Sequence, residues 1–257
     1  SGTMHEIKHF QGIKESPDEA IERIDDIGGP HSHTNYPWGW AQCGNSPFRW
    51  YKTLTHEGGV HVPMVVHWPA GLGDAAGTKR NQFTYVADIV PTVYEILGIV
   101  APDTHRGIEQ MPVTGHSFAS VLDDADAPAT NRLQYFEFGG NRALIVERDG
   151  VWWKAVTRHL PGADFDTEPW ELFDLTADPS ECHDLADTQP DRLAELIDLW
   201  WQEAETHGVL PLDERRLELF IPRLDDHSVH RSDRRYIYRP PMTLIPTRTA
   251  ASLTDSV

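Results

Sequence analysis

Three stretches of this chain repeat their apolar positions at helical spacing, and five others alternate or run together as strands do. Ser16-Pro17-Asp18-Glu19 offers an N-cap, a proline for the first helical position and a capping-box glutamate, with Ile21, Ile24 and Ile27 following before Gly28-Gly29-Pro30. That pattern predicts a short amphipathic helix over 17–27. From 28 to 49 neither period holds, and the Gly, Pro, Asn, His and Trp content, including Tyr36-Pro37-Trp38-Gly39-Trp40, reads as a long ordered surface loop. The apolar run 63–68, closed by Pro69-Ala70-Gly71, predicts a buried strand. A helix is expected over 88–97, with Asp88 to cap it, Pro91 in its first turn and Gly98 to end it.

Four short β candidates follow at 133–138, 143–147, 151–156 and 171–175. Asp149-Gly150 between two apolar runs is a hairpin signal, and the four predict one antiparallel sheet. The strongest helical period covers 191–207, with Leu193, Leu196, Ile197, Trp200 and Ala204 on one face and Gly208 after it. This helix is expected to cover one face of the sheet. Beyond Pro211 the composition turns to Arg, Asp, His and Pro, which suits a linker or the start of a further domain over 213–257.

Charge narrows the function classes. The formal net charge is −18, and residues 1–212 carry 14 basic against 33 acidic side chains, so the acidity belongs to the body of the chain. A nucleic-acid binder needs a basic face, and a net charge of −18 argues against one. Distant anions are repelled, so an anion site has to act through local cations. Two cysteines, Cys43 and Cys182, are too few for a disulfide framework, and structural thiols are expected. No apolar run reaches the roughly 18 to 20 residues of a membrane span, and no basic-then-apolar leader pattern opens the chain. The expectation is a cytoplasmic protein, or a piece whose targeting information lies elsewhere.

The candidate chemistry centres on Lys52-Thr53-Leu54-Thr55-His56-Glu57-Gly58-Gly59, directly before the apolar run. A cation on a loop beside two glycines, where backbone approaches closely, suits capture of one oxygen of a sulfate or phosphate ester. His56 is placed either to donate a hydrogen bond to an ester leaving group or to serve as a structural histidine. His56-Glu57-Gly58-Gly59-Val60 does not complete a zinc-protease motif, because Val60 stands where the second histidine belongs and the glycines oppose a helix. His31-Ser32-His33 has no third ligand cluster at suitable spacing and reads as a solvated loop. Trp38 and Trp40 either form a stacking platform for a sugar or aryl group or pack the loop onto the body.

Asn45-Ser46-Pro47-Phe48-Arg49 copies the spacing of Cys/Ser-x-Pro-x-Arg, with an asparagine where an oxidisable residue would stand. Together with Lys52, the Glu-Gly-Gly turn, Val62-Pro63 and His67-Trp68-Pro69-Ala70-Gly71, this segment resembles the sulfatase family. Asp88-Ile89-Val90-Pro91-Thr92, Gly139-Gly140-Asn141-Arg142-Ala143, Trp152-Trp153-Lys154, Glu171-Leu172-Phe173-Asp174-Leu175 and Asp178-Pro179-Ser180-Glu181 continue the resemblance in order. It is to the C-terminal half of a formylglycine-dependent arylsulfatase of the alkaline-phosphatase-like superfamily.

The resemblance implies an α/β fold: the last strands and helices of a large mixed sheet over 1–127, then a small α+β domain over 128–212 with four antiparallel strands and one long helix. It also implies sulfate-ester hydrolysis, with Lys52 gripping the sulfate. The formylglycine nucleophile and the ligands of a divalent cation, calcium in most of the family, would lie upstream of Ser1, so that this chain alone is expected to be inactive and to need the missing N-terminal half. A phosphodiesterase or phosphonate hydrolase of the same superfamily, and a non-catalytic carbohydrate-binding or interaction module built on the Trp-rich segment, are the alternatives.

Overall fold

A computed structural model describes residues 16–22, 24–26, 36, 38–160 and 162–214, and the elements below all belong to the compact unit that ends at Asp213. The expectations for Ile27, for His31 and His33, and for nearly all of 213–257 lie outside the described residues.

The first predicted helix forms as α1 (Pro17–Glu22), shorter than its apolar spacing suggested, and a 3-10 turn takes over at Ile24–Asp26. Its capping box is made: Ser16 N–H donates to Glu19 Oε2 at 2.7 Å, and Glu19 N–H to Ser16 Oγ at 3.3 Å. The expected long loop is corrected in its second part, where α2 (Trp38–Asn45) is helical. With two glycines and only Ala41 and Gln42 as good helix formers, its eight residues give no local signal for a helix. Trp38 and Trp40 stay 66% and 65% exposed, so they do not pack the segment down.

The buried strand expected at 63–68 is not formed. These residues form no regular element and have no strand partner among the described residues, and Val65 is 91% exposed. A strand is defined by its neighbour, and apolar content alone does not supply one. Further on, a 3-10 turn at Val86–Asp88 leads into α4 (Ile89–Leu97); the four-residue α3 (Glu57–Val60) belongs to the site described below. Gly98 ends α4 in the left-handed region at φ 63°, as expected. Asp88 does not cap α4 itself. Its carboxylate instead accepts the N–H groups of Tyr85 at 2.7 Å and His116 at 2.8 Å, which closes the turn ahead of the helix and ties it to the following loop. A two-strand ribbon, β1 (Thr104–His105) with β2 (Ile108–Glu109), and the short helix α5 (Ala119–Asp123) complete this half.

The four predicted strands form as β3 (Leu133–Phe138), β4 (Asn141–Arg148), β5 (Val151–Thr157) and β6 (Glu171–Asp174), antiparallel and adjacent in chain order. Asp149 and Gly150 at φ 56° and 82° make the hairpin between β4 and β5, as a turn with two left-handed central residues requires. The long helix α6 (Pro190–Thr206) lies on one face and buries Leu196, Trp200 and Ala204 against Leu144, Val146, Trp153, Ala155 and Leu172. Full burial of each large apolar side chain here is worth about 1.5–3 kcal/mol. Alternation then sends Asn141 of β4, Lys154 of β5 and Glu171 of β6 to the opposite face, alongside Ala143, Val156 and Phe173.

Candidate functional site

Lys52 and Thr53 are the central residues of a turn closed by the Leu54 N–H donating to the Tyr51 carbonyl at 3.2 Å. Thr53 has φ 82°, the value that the third position of a type II turn demands and that glycine usually supplies. Trp50, two residues before Lys52, is also left-handed at φ 64°. A β-branched or bulky residue in that region is strained by about 1–3 kcal/mol, so the surroundings must hold the loop in place.

Two asparagine amides do so. Asn45 Nδ2 donates to the Trp50 carbonyl at 2.9 Å and to the Gly58 carbonyl at 2.7 Å. Asn141 Nδ2 donates to the Thr53 carbonyl at 3.0 Å and to that of Phe138 at 3.0 Å, while its Oδ1 accepts the His159 N–H at 3.1 Å. The glycine pair explains itself in the same geometry. A Cβ on Gly58 would lie 2.1 Å from the Trp50 carbonyl oxygen, and one on Gly59 would lie 1.8 Å from that of Leu54. Only glycine lets the Lys52 loop fold back onto α3 (Glu57–Val60).

Behind the loop lies a buried charge network that fastens it to the free face of the sheet. Lys154 Nζ is 2.8 Å from Glu57 Oε1 and 2.8 Å from Glu181 Oε1, and all three side chains are almost wholly buried. Glu181, itself at φ 56°, also accepts the Glu57 N–H through Oε2 at 2.9 Å. Glu57 Oε2 accepts a hydrogen bond from His61 Nδ1 at 2.8 Å. Beside this group, Glu171 Oε1 is held by Arg49 at 3.1 and 3.2 Å, and its Oε2 lies 2.8 Å from His56 Nε2. Arg49 further donates to the Glu181 carbonyl at 3.0 Å, joining the two clusters. Removing one partner of such a buried pair strands the other charge, at a cost of about 3–5 kcal/mol.

The proton affinities follow. Burial by itself would raise the Glu57 carboxyl, but the Lys154 charge and the His61 hydrogen bond outweigh it and hold the group at about 2. The hydrogen bond to Glu57 raises His61 above the ordinary imidazole value, against its partial burial. Burial likewise pushes Glu171 up, yet the hydrogen bond from His56 and the Arg49 charge keep it below the usual range. An ionised Glu171 can only accept, so His56 Nε2 carries the proton, and His56 Nδ1 is buried with no hydrogen-bond partner among the described residues.

Lys52 is exposed and lines a cavity of about 890 Å³ together with Thr55, Asp88, His116, Asn131 and Tyr135. No hydrogen bond or ion pair involves its side chain among the described residues, whereas Arg49 and Lys154 are both committed to carboxylates. His56 is not among the residues lining that cavity, and neither are Trp38 and Trp40. The structure thus brings Lys52 and His56 into one loop but on different sides of it.

Sequence reasoning missed the roles of Glu57, Lys154, Glu171, Glu181 and Asn141. The available signal was Lys154 in the middle of Trp152-Trp153-Lys154-Ala155-Val156, a cation inside an apolar strand that requires a buried anion. Asn45, read as an empty nucleophile position, is a backbone clamp whose amide is engaged twice. An amide in that place does not fit conversion to formylglycine. Among the described residues, no group of three or more His, Cys, Asp or Glu side chains is arranged to hold a metal ion. No step is therefore assigned to either group here.

The family profile described as N-sulphoglucosamine sulphohydrolase, C-terminal, matches residues 46–203. An uncharacterized sulfatase of Schizosaccharomyces pombe is 29% identical over 206 residues, covering 74% of this chain and 33% of that protein. Arylsulfatase K of Xenopus laevis is 26% identical over 151 residues, covering 58% and 26% respectively. A solved structure from work on glycosaminoglycan metabolism by Bacteroides thetaiotaomicron aligns with 74% of this chain and 35% of its own at 20% identity and a TM-score of 0.47. The chain spans about a third of the yeast relative's length and about a quarter of the frog one's.

Proposed function

This chain belongs to the N-sulphoglucosamine sulphohydrolase C-terminal family, and from that premise we propose that it supplies the sulfate-gripping loop of a sulfuric ester hydrolase, with Lys52 as the cation that binds the sulfo group. The observation that carries this reading is the contrast among neighbouring cations. Arg49 is neutralised by the half-buried Glu171 and Lys154 by the buried Glu57 and Glu181, while Lys52 is presented to the cavity on a strained, doubly clamped turn with no ion-pair partner among the described residues. On a chain of net charge −18, such a local uncompensated cation is what an anionic substrate needs. A fixed ammonium beside the sulfo oxygens lowers the barrier most where charge builds up in the transition state.

His56 enters this reading through Glu171 and Arg49, as a residue that positions the loop rather than as an acid toward a leaving group. A cation that grips the sulfo oxygens makes no demand on the bridging atom. The loop alone thus accepts a sulfate ester, as in the name of the arylsulfatase relative, or an N-sulfo group, as in the name of the family.

Asn45, whose amide is occupied, offers no nucleophile, so the isolated chain is expected to show no enzyme-like turnover of a chromogenic aryl sulfate; turnover would overturn that part of the proposal. In the complete enzyme carrying this segment, Lys52→Ala lowers kcat/KM by about 10² or more toward both an aryl sulfate and a sulfamate. An unchanged value removes Lys52 from the site.

A further inference from the structure

The Lys52 turn is held in a conformation its own residues resist, and the structure shows what holds it. We propose that Asn141 is a positioning residue for Lys52, acting through the Thr53 carbonyl, with Asn45 as its counterpart at the Trp50 carbonyl. This rests on the reading of Lys52 as the sulfo-binding cation.

Four observations carry it. The two non-glycine residues at positive φ in the loop, Trp50 and Thr53, bracket Lys52. Each has its carbonyl held by a side-chain amide from outside the loop, Asn45 at 2.9 Å and Asn141 at 3.0 Å. Asn141 is fully buried at the start of β4 with every polar atom of its amide used, two carbonyls at the nitrogen and one N–H at the oxygen. That pattern fixes which end of the amide faces Thr53. Finally, α3 is pressed against the other side of the loop through Gly58 and Gly59, which leaves no room for the turn to relax that way.

The clamp explains why a threonine is tolerated where a type II turn prefers glycine. Glycine would adopt the conformation unaided, with no need of an outside donor. A threonine pinned by an external amide gives a single arrangement, and binding a small anion through one ammonium group gains from that preorganisation. The donor on Asn141 is therefore needed only because position 53 is not glycine.

That dependence supplies the test. The full 257-residue chain is prepared as wild type, Asn141→Asp, Thr53→Gly, and the two combined, with Lys52→Ala and Asn45→Asp alongside. Aspartate keeps the shape and the acceptor toward His159 but can donate neither to Thr53 nor to Phe138, and only the first loss is one that glycine at position 53 makes good. Amide hydrogen exchange over 50–55 is measured, and inorganic sulfate is titrated against the same amide signals. The expected result is that Asn141→Asp speeds exchange in the loop at least about tenfold relative to β4 and β5, and weakens sulfate binding by a similar factor. Adding Thr53→Gly is expected to restore slow exchange and most of the binding.

A merely structural role of Asn141 in the sheet would not be rescued by a change at position 53, so failure of rescue overturns the proposal, as does loop exchange unaltered by Asn141→Asp. Should Asn141→Asp not fold, Asn45→Asp is read in its place, with faster exchange at 50–52 expected and unchanged exchange overturning the clamp idea. Sulfate binding by Lys52→Ala equal to wild type, or none by wild type, refutes the Lys52 reading instead, and the exchange data still decide the clamp.

Discussion

Glu57 shows how a single carboxylate is tuned by its contacts. Its folded value of about 2 lies below the ordinary 4.5, so the ionised group stabilises the fold fully above about 4.5, and that contribution disappears as the pH falls toward 2. At about 1.4 kcal/mol per pH unit, the contribution is on the order of 3 kcal/mol. His61 has the opposite sign. Its value is raised, so its contribution is complete below the ordinary 6.5 and is lost as the pH climbs through the raised value. Both partners therefore act together between about pH 4.5 and 6.5. Urea unfolding across pH 2 to 7 checks this: the gap in stability between wild type and Glu57→Gln is expected to be widest between about pH 4.5 and 6.5 and to close on acidification. A gap that does not move with pH would show that Glu57 is not held ionised by Lys154.

At the scale of elements, the glycine pair makes the sharpest claim. A Cβ at Gly59 meets backbone, not a movable side chain, so Gly59→Ala forces α3 and the Lys52 turn apart. Overpacking of this kind costs about 1–3 kcal/mol, and more where backbone must shift. Gly39 in α2 is the control. A Cβ there meets nothing within 4 Å, so Gly39→Ala is expected to be neutral or to stabilise by up to about 1 kcal/mol. Denaturant midpoints of the two variants decide it, and equal effects would contradict the close approach.

The same elements show what the sequence made legible. β3 to β6, the Asp149-Gly150 hairpin and α6 were readable because their information is local, in a period of two, a turn dipeptide and a period near 3.6. The segment 63–68 was misread because apolar content suggests burial without naming a partner. Lys52 was legible as a lone cation beside two glycines. Its clamps were not: Asn141 reaches the Thr53 carbonyl across 88 residues that only the fold brings together, and Asn45 donates to the carbonyl of a left-handed Trp50 that nothing in the sequence announces.

On the whole molecule, two forces oppose each other. Apolar side chains stand open to solvent along 62–66 and on α4 and the residues after it, with Leu97 63% and Val100 89% exposed. Exposure on this scale favours association between chains. The net charge of −18 works against it by mutual repulsion. Which of them wins depends on salt, because charge repulsion is screened over about 10 Å at 0.1 M while apolar contact is not. Sedimentation velocity of the chain is therefore expected to show a smaller mean mass at about 0.02 M salt than at about 0.5 M. Val65→Glu and Leu97→Glu are expected to suppress the high-salt species. Because both side chains are already in water, the unfolding free energy from urea titration should change by no more than about 0.5 kcal/mol. A destabilisation well beyond that would mean that these positions are packed within the folded unit, and a mean mass independent of salt would mean that charge does not hold the chains apart.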